Sequence, residues 1–456
     1  MPVETANGAD PLIPPSSIFV FWPGDQPPMA EEIRLRLGEF GAAAPHADAE
    51  TAENSAENTA WSFWLELADR PVSQLVWCER VGGPHLALLD RVRFRDPQQE
   101  VEARACRWVV GVEGPLSLRN PVQDYQLQLR ICEAVARDWA PVTFDASGFV
   151  FRTAEETQRL AAARVPPRTS QLYGVHQVRC NGDRAVAGGE PRRYWLHTHG
   201  LERAGVPDLE IFEVPEQLVD AACEAIETVA SLWIQYQTPA PETPFAIGAD
   251  LEIAWRPWQA QVEEMPHAAV GGWRYRRDEF AHAGYRAVLV AAKPVGGVVG
   301  RFGRVWRPPV ETLERIASPA TALYRSQYET RRMAQVARER WPSFGMLFAG
   351  RRPRDWRFAV KLRYGEEGAG CEHLWFEVLG LKPGRVQAAL CSQPTLVRHL
   401  RPGDVEWHDL ERLSDWRIFT GFGVFDPDGA DALFDDVRRA EPSAAPELPV
   451  AAGRDR

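Results

Sequence analysis

The chain has 456 residues, of which 45% are hydrophobic and 25% are charged, and its formal net charge is -11. This length predicts two to four domains at roughly 100–200 residues each, with enough apolar material for folded cores. The acidic balance argues against general nucleic-acid binding, because binding to phosphate rests mainly on positive charge.

The cysteines and the N-terminus indicate a cytoplasmic bacterial protein. The seven cysteines are scattered, and because none forms a Cys-x-x-Cys pair, neither a disulfide framework nor a zinc knuckle is expected. The N-terminus has no basic segment before an apolar run, and no stretch approaches the roughly 18 apolar residues of a membrane helix. Arginine supplies nearly all the positive charge, which together with abundant alanine and proline is typical of a GC-rich bacterial genome.

Residues 17–165 are predicted to form an N-terminal α+β domain behind a Pro- and Ala-rich disordered tail at residues 1–16. Residues 41–59 are mostly alanine and acidic or small polar residues, which predicts a flexible acidic loop inside this domain. The apolar pattern predicts strands, in chain order, at Ile18–Trp22, Trp61–Leu67, Leu75–Glu79, Trp108–Val112, Val142–Phe144 and Phe149–Arg152.

Two helices of this first domain have clear sequence signals. From Asn120 onwards, apolar residues recur at steps of three and four, which places them on one face of a helix that Pro141 ends. Thr153 and Glu156 match the capping box at the start of a shorter helix. A Pro-Pro pair at 166–167 then marks a predicted domain boundary.

Residues 166–310 are predicted to form a central α+β domain. Its main helix is expected to begin at Pro215 and to run to about Gln235, with a buried apolar stripe. Its strands, in chain order, are predicted at Gln171–Cys180, Tyr194–His199, Leu209–Val214 and Ala287–Ala292.

Residues 311–440 are predicted to form a smaller β-rich C-terminal domain, followed by a disordered tail at 441–456. Ser318 is expected to cap a helix that runs to Trp341. Strands are then predicted at Arg357–Tyr364, His373–Leu379 and Arg385–Leu390. Because many short strands are joined by turns, the predicted fold is α+β, with mostly antiparallel sheets packed by long amphipathic helices.

The order of motifs in the C-terminal domain resembles a known bacterial family. A predicted strand with the sequence Glu-His-Leu-Trp begins at Glu372 and is followed by a proline turn at Pro394, a Gly-Asp turn at Asp404 and an Asp-Trp pair at Asp415. This order resembles the YegJ-like family called domain of unknown function 2314. The resemblance covers residues 319–425 of the sequence.

A second resemblance lies upstream. The stretch from Tyr194 to Leu201, followed by Asp-Leu-Glu-Ile from Asp208, is similar to a larger bacterial family called domain of unknown function 4026. Members of that family have a similar length and carry the same C-terminal domain, which implies that the likeness spans most of the chain. That family is similar to small domains found near bacterial toxin-immunity genes, and the resemblance implies an architecture but carries over no established activity and no catalytic residue. Together with the lack of a catalytic motif and the uneven charge, it leads us to expect a binding role of the immunity or conflict type.

His197 and His199 carry the strongest chemical signal in the sequence. Residues two apart on a strand point to the same face, so both imidazoles are expected to project together, as two metal ligands do. A zinc or iron site needs a third ligand, for which we expect Glu210, with His176 and Glu213 as alternatives. A pair of structural histidines at a strand end is the competing interpretation.

A second set of candidate binding residues lies in the C-terminal domain and consists of Glu372, Asp404, Asp415 and Trp416. An aspartate in a turn can accept backbone N–H bonds while a tryptophan anchors the core, so a structural role competes with ligand binding here. No other catalytic motif is evident. The glycine-rich stretch at 296–303 lacks the Gly-Lys-Ser/Thr ending of a phosphate loop, and Ser147 lacks the Gly-x-Ser-x-Gly context of a nucleophile elbow.

These features predict a non-enzymatic cytosolic binding protein, with a protein partner of unknown identity, no cofactor and no membrane contact. The alternative is a metal-dependent, hydrolase-like enzyme that uses His197 and His199 with a divalent ion such as zinc. A third hypothesis is nucleic-acid binding through Arg301–Arg363, which contains fourteen arginines and one lysine against five acidic residues. The acidity of the whole chain argues against this third hypothesis.

Overall fold

A computed structural model describes residues 13–45, 58–67, 70, 72–91, 94, 97–137, 139, 141–179, 192–265, 269–276, 284–294, 305–318, 321–350, 355–366, 370–421, 423–430 and 433. The chain divides into two compact units, Met1–Ser326 and Gln327–Arg456. The first unit holds two sheets and the second unit holds one. Of the described helices, none has both the length and the apolar character that crossing a bilayer requires.

The first sheet of the larger unit has seven strands, all paired antiparallel, in the order β2-β3-β4-β5-β1-β6-β7. Its centre is rich in β-branched and aromatic residues, such as Ile18 and Val20 on β1 and Val110 and Val112 on β5, all of which are buried. The strands are β1 (Ser16–Trp22), β2 (Gly41–Pro45), β3 (Thr59–Leu67), β4 (Ser73–Arg80), β5 (Trp108–Gly114), β6 (Thr143–Asp145) and β7 (Val150–Arg152).

In the described part of the chain, five helices accompany this sheet: α1 (Ala30–Leu37), α2 (Gly83–Arg91), α3 (Pro97–Ala105), α4 (Pro121–Ala136) and α5 (Ala154–Ala162). Helix α4 contacts β1 and β5 on one side and α1 and α5 on others, so most of its residues are buried, including Gln126 and Gln128. Helix α5 begins with the predicted capping box between Thr153 and Glu156, in which each side chain bonds the backbone N–H of the other residue.

The second sheet of this unit has six strands in the order β11-β12-β13-β10-β9-β8. Its pairs are antiparallel except for β10 and β13, which run parallel and are joined through a crossover that includes a helix. The strands are β8 (Gly174–Arg179), β9 (Arg193–His199), β10 (Asp208–Pro215), β11 (Phe245–Gly248), β12 (Leu251–Pro257) and β13 (Arg286–Ala291).

The crossover helix of the second sheet is α6 (Val219–Gln235), which packs against β10. Ala222, Ile226, Val229 and Trp233 recur on one face and are buried, as the apolar spacing predicts. Two shorter helices, α7 (Trp258–Glu263) and α8 (Val310–Ile316), complete the described part of this unit.

The second unit has a six-stranded antiparallel sheet in the order β17-β16-β15-β14-β18-β19, with helices α9 (Gln327–Glu339) and α10 (Trp341–Ala349). One apolar core joins the sheet to these helices, with Phe344 and Trp416 among its fully buried members. The strands are β14 (Arg357–Glu366), β15 (Gly370–Lys382), β16 (Arg385–Leu390), β17 (Val405–Asp409), β18 (Leu413–Thr420) and β19 (Gly423–Phe425).

The predicted α+β class with mostly antiparallel sheets is confirmed, but long amphipathic helices are not. Most described helices span fewer than fourteen residues, and α4 is buried on several sides rather than along one stripe because other elements surround it. The predicted boundary near residue 165 falls between the two sheets of one compact unit, whereas the second unit starts at Gln327, after the predicted domain start at 311.

The structure differs from three local predictions in the residues that it describes. The helix predicted from Ser318 begins at Gln327, after a backbone bridge between Leu323 and Gly248 that a helix through Leu323 could not form. The predicted loop at 41–59 includes strand β2, which pairs with β3, and residues 46–57 lie outside the described residues. The predicted tail at 1–16 includes the buried Ser16 of β1, while residues 1–12 and the tail at 441–456 are outside the described residues.

Candidate metal centre

Three histidines of the second sheet come together at its β8 edge. His176 on β8 lies directly opposite His197 on β9, and His199 lies two residues further along β9 on the same face. One ring nitrogen from each of the three lies within 4.8 Å of the others. Among the described residues, this is the one group of three or more histidine, cysteine or acidic side chains with such spacing.

The histidine cluster, His176, His197 and His199, is set among aromatic rings. The His197 ring centroid lies 4.2 Å from that of Trp195, and the His199 centroid lies 4.8 Å from that of Phe149. Burial, assisted by the nearby Arg286, lowers the pKa of His176. His176 is therefore neutral at physiological pH, which is the form of imidazole that binds metal ions.

Glu210, the predicted third ligand, lies opposite His197 in the sheet but does not join the cluster. Its carboxylate is fully buried and accepts hydrogen bonds from both terminal nitrogens of Arg276 and from Nη1 of Arg286 at 3.1 Å. The third member of the cluster beside His197 and His199 is thus His176, the alternative considered from the sequence, and not Glu210. Two guanidinium groups hold the Glu210 carboxylate, and they offset the cost of burying its negative charge through paired, charge-assisted hydrogen bonds.

Glu213, the other carboxylate considered, does not join the cluster either. It lies at the irregular part of β10, where the pairing with β9 shifts register, and its φ is 54°. Its side chain accepts a hydrogen bond from the backbone N–H of Val270. This carboxylate therefore holds the segment that contains Val270 against the sheet.

Arg286, the first residue of β13, connects the buried acids to the histidine cluster. Its Nη1 donates to Glu210 and to the carbonyl of Thr198, and its Nη2 lies 3.2 Å from Nδ1 of His199. A guanidinium can only donate, so Nδ1 of His199 is the acceptor and the ring proton of neutral His199 is on Nε2. This contact fixes the tautomer of His199.

Asp208 and Thr198 form the second half of this polar arrangement. Asp208 Oδ1 accepts hydrogen bonds from the Thr198 hydroxyl at 2.8 Å and from the Leu201 N–H at 3.1 Å, while its Oδ2 lies 3.7 Å from Arg286. Burial raises the pKa of Asp208, and Arg286 opposes that shift. These bonds hold the β9–β10 connection and, with it, the position of His199 on β9.

A cavity of about 210 Å³ lies beside the histidine cluster. Its wall includes Phe149, His199, Glu202, Asp208 and Arg286. Burial, together with the charge of Asp208, raises the pKa of Glu202. The cavity gives His199 a polar, partly enclosed space next to it, large enough for a small ligand.

Two of the predicted binding residues of the C-terminal domain, Glu372 and Asp404, accept hydrogen bonds from backbone N–H groups of loops in the same domain. The two oxygens of Glu372 accept hydrogen bonds from three consecutive backbone N–H groups, those of Thr395, Leu396 and Val397, at 2.7–3.1 Å. Although burial acts in the opposite direction, these donors hold the pKa of Glu372 below its usual range. Asp404 similarly accepts from the Arg401 N–H at 2.7 Å.

Asp415 and Trp416 are both buried but have separate roles. Trp416 lies in the apolar core, and its Nε1 donates to the carbonyl of Ala337 at 3.2 Å. Asp415 Oδ1 accepts from the Trp416 backbone N–H at 2.9 Å, and burial raises the pKa of Asp415 to about 6. The bonds of these four residues are those of a structural role, and ligand binding by them stays a prediction.

The fold and the site define an α+β protein with a buried histidine cluster beside a small cavity. Residues 183–290 match the family described as "Protein of unknown function (DUF4026) C-terminal", and residues 335–425 match the family described as "Uncharacterized protein conserved in bacteria (DUF2314)". The predicted resemblance to these two families is confirmed, over stretches that together make up less than half of the chain. No curated protein and no solved structure matches the chain.

Arg276 and Arg286 were missed by the sequence reasoning. Arg286 precedes the apolar run of β13, where a charged residue looks like the exposed end of a strand, yet it is almost fully buried. Its burial depends on the parallel pairing of β13 with β10, which places it beside Asp208. No local sequence pattern signals that long-range pairing.

Proposed function

We propose that the chain binds one divalent transition-metal ion through His176, His197 and His199. The observation that carries this proposal is the convergence of one ring nitrogen from each histidine within 4.8 Å on neighbouring strands. Three protein ligands with a further position left for water or substrate are typical of catalytic zinc sites, whereas structural zinc sites have four. Nitrogen ligands without thiolates suit zinc, copper, nickel or iron.

The geometry requires a small closing movement. Two nitrogens bound to the same zinc ion at 2.0–2.1 Å each lie at most roughly 4.2 Å apart. The widest spacing in the cluster is 4.8 Å, so the imidazoles must approach each other before all three bind. Because His176 is on the edge strand β8 and is only partly buried, its ring is the one with room to move.

Metal binding also changes the partner of His199. With Nδ1 accepting from Arg286, Nε2 of the neutral ring carries the proton and has no lone pair for an ion. The ion therefore competes with Arg286 for His199, and binding requires that this hydrogen bond break. Arg286 retains Glu210 and Asp208 as partners, so its charge stays compensated.

The adjoining cavity extends the proposal to the hydrolase-like alternative predicted from the sequence. His199 lies in the cavity wall, so a bound ion would have room for a water molecule on that side. Glu202 and Asp208 lie in the same wall, and burial raises the pKa of both carboxyl groups, which makes them the candidate groups for proton exchange with a bound water. The protein-partner role stays a separate prediction, which does not require the histidines.

Metal titration of the full chain tests the proposal. After treatment with a chelator, the wild type is expected to take up one equivalent of Zn²⁺ in competition with a chromophoric chelator. His176→Gln, His197→Gln and His199→Gln are each expected to weaken binding by roughly tenfold or more. His85→Gln is the matched control, because His85 is a partly buried histidine of the same unit that lies on helix α2, outside the histidine cluster.

Two outcomes would overturn the proposal: less than a tenth of an equivalent of zinc, copper, nickel or iron on the folded wild type, or unchanged zinc affinity when all three histidines are replaced. A pull-down that compares wild type with the triple variant then separates the two roles. Capture that survives loss of the histidines would support an interaction role that does not depend on the metal.

A further inference from the structure

A cysteine, a histidine and a serine form a second polar arrangement, on the sheet of the C-terminal unit. Cys371 and His373 are two residues apart on β15 and share a face, and Ser414 lies at the register shift between β18 and β14. Cys371 Sγ lies 3.6 Å from Nε2 of His373, and Nδ1 of His373 lies 2.9 Å from Ser414 Oγ.

The hydrogen-bond directions fix the tautomer of His373. Ser414 donates its single hydroxyl proton to the carbonyl of Lys361 at 3.0 Å, so toward His373 its oxygen can only accept. Nδ1 of His373 must then carry the proton that it donates to Ser414. Nε2 of the neutral ring is left with its lone pair directed at the Cys371 thiol.

We propose that Cys371 is a nucleophilic thiol for which His373 is the general base and Ser414 the positioning residue, and that it reacts with small, soft carbon electrophiles. A nucleophile within reach of a base, with the base oriented by a third group, is the arrangement by which proteins activate weak nucleophiles. The family match at residues 335–425 includes all three residues but assigns none of them a role.

The charges around the pair suit this role. Burial, together with Lys361 and Arg363, lowers the pKa of His373, so the ring is neutral and able to accept a proton at physiological pH. The alternative, a thiol that only packs against the ring, would give Cys371 no reactivity beyond that of an ordinary half-buried cysteine.

The reaction with iodoacetamide illustrates the balance of the step. Nε2 of His373 accepts the thiol proton, the sulfur forms a bond to the methylene carbon, and iodide leaves with the electron pair of the carbon–iodine bond. The imidazolium then loses its proton to water, so the ring is regenerated. The products are the S-alkylated cysteine, iodide and a proton, and no oxidant or reductant is needed.

Competitive alkylation of the full chain tests the proposal. The protein is treated with limiting iodoacetamide between pH 6 and 9, and the modification of Cys371 and Cys391 is followed by peptide mass spectrometry. Cys391 is an exposed cysteine of the same unit, and Cys371 is less exposed, so accessibility alone would make Cys391 the faster. We expect Cys371 to react roughly tenfold or more faster at pH 7, and to stay reactive at lower pH than Cys391.

Two variants separate activation from folding. His373→Gln is expected to reduce the Cys371 rate to the level of Cys391 or below and to remove its advantage at low pH. Ser414→Ala is expected to give a smaller loss, because Nδ1 is then no longer fixed as the protonated nitrogen. Tryptophan fluorescence, to which the buried Trp416 of the same unit contributes, reports whether either variant still folds. A Cys371 rate that does not exceed that of Cys391, or that is unchanged by His373→Gln in a folded protein, would refute the proposal.

Discussion

Arg286 donates a hydrogen bond to Nδ1 of His199 across 3.2 Å, so a cation occupies the side of the ring that faces the buried acids. This contact predicts that Arg286→Gln tightens metal binding. The substitution removes a positive charge next to the proposed ion and weakens the competition for His199, and we expect the dissociation constant for Zn²⁺ to fall roughly tenfold. The measurement is chelator competition on folded protein at fixed salt.

Arg276→Gln is the matched control for that prediction. Arg276 is buried and bonded to Glu210 like Arg286, but its side-chain hydrogen bonds go to Glu210 and the carbonyl of Gly271, with none to His199. Zinc affinity should therefore change little in Arg276→Gln. Weaker zinc binding in folded Arg286→Gln would show that the arginine supports the ion instead of competing with it.

Glu210→Gln is expected to destabilise the first unit strongly while leaving metal binding in place. The carboxylate lies between Arg276 and Arg286, and all three side chains are almost fully buried. Its loss removes the anion that both guanidinium groups share and leaves Arg286 with the more distant Asp208. Breaking such a buried pair costs about 3–5 kcal/mol. Urea unfolding followed by tryptophan fluorescence measures the loss.

The control for Glu210→Gln is Glu216→Gln, which removes an exposed partner of Arg192 and should leave the unfolding curve nearly unchanged. Zinc titration of the Glu210 variant provides a second readout. If Glu210 were a ligand, as the sequence suggested, Glu210→Gln would lose zinc and His176→Gln would keep it. The structure predicts the reverse.

The alternation of side chains along a strand was enough to predict that His197 and His199 share a face, because that depends only on neighbouring residues. The pairing of β8 with β9, which supplies His176, could be considered but not chosen, because no local pattern fixes the register of the two strands. The parallel pairing of β10 with β13 could not be predicted either, because α6 and two strands lie between them in the sequence and no local pattern signals the pairing.

Predictions from local sequence were also wrong where an element is stabilised by contacts with residues far away in the sequence. Gly41–Pro45 is alanine-rich and was predicted as a loop, yet it forms a strand because the edge of β3 offers backbone partners. The capping box at Thr153, by contrast, was predicted correctly because its two hydrogen bonds involve residues only three apart. Predictions succeeded where the stabilising contacts are close in sequence.

Arg203→Lys is expected to destabilise the first unit by about 3 kcal/mol. The Arg203 guanidinium bonds both oxygens of Asp145 at 2.8 and 2.9 Å, and lysine cannot form this two-pronged contact. Burial opposes ionisation of Asp145, but Arg203 and Arg152 outweigh it and hold the pKa of Asp145 below its ordinary value.

The pH dependence of Arg203→Lys follows from the lowered pKa of Asp145. A carboxyl group with a depressed folded-state pKa contributes stability above its unfolded pKa, and this contribution is lost as the pH falls through the folded value. The deficit of Arg203→Lys should thus be largest near pH 7 and should shrink in acid. Denaturant unfolding at pH 3 and pH 7 measures it, and an equal deficit at both would contradict this account.

Asp415→Asn is expected to stabilise the C-terminal unit at neutral pH. Burial raises the pKa of Asp415 from 3.8 to about 6, so the folded state binds its proton more tightly than the unfolded state does. The resulting stability is fully present below about pH 4 and is lost as the pH rises through about 6. At pH 7.5 the buried, ionised carboxylate therefore destabilises the folded state, whereas a neutral amide does not. A pKa difference of about 2 corresponds to a gain of at most about 3 kcal/mol in the free energy of unfolding.

The prediction for Asp415 can be measured by hydrogen exchange of the β18 amides between pH 5 and 8, corrected for the intrinsic pH dependence of exchange. Protection in the wild type should decrease relative to Asp415→Asn as the pH rises through 6, since an asparagine oxygen can still accept from the Trp416 N–H. Asp409→Asn, at an exposed aspartate of β17 paired with Arg385, is the control and should follow the wild type. The opposite result would be a protection that increases with pH in the wild type relative to Asp415→Asn. It would mean that the fold stabilises Asp415 as the anion, for which Lys361 and Arg417 are the available cations.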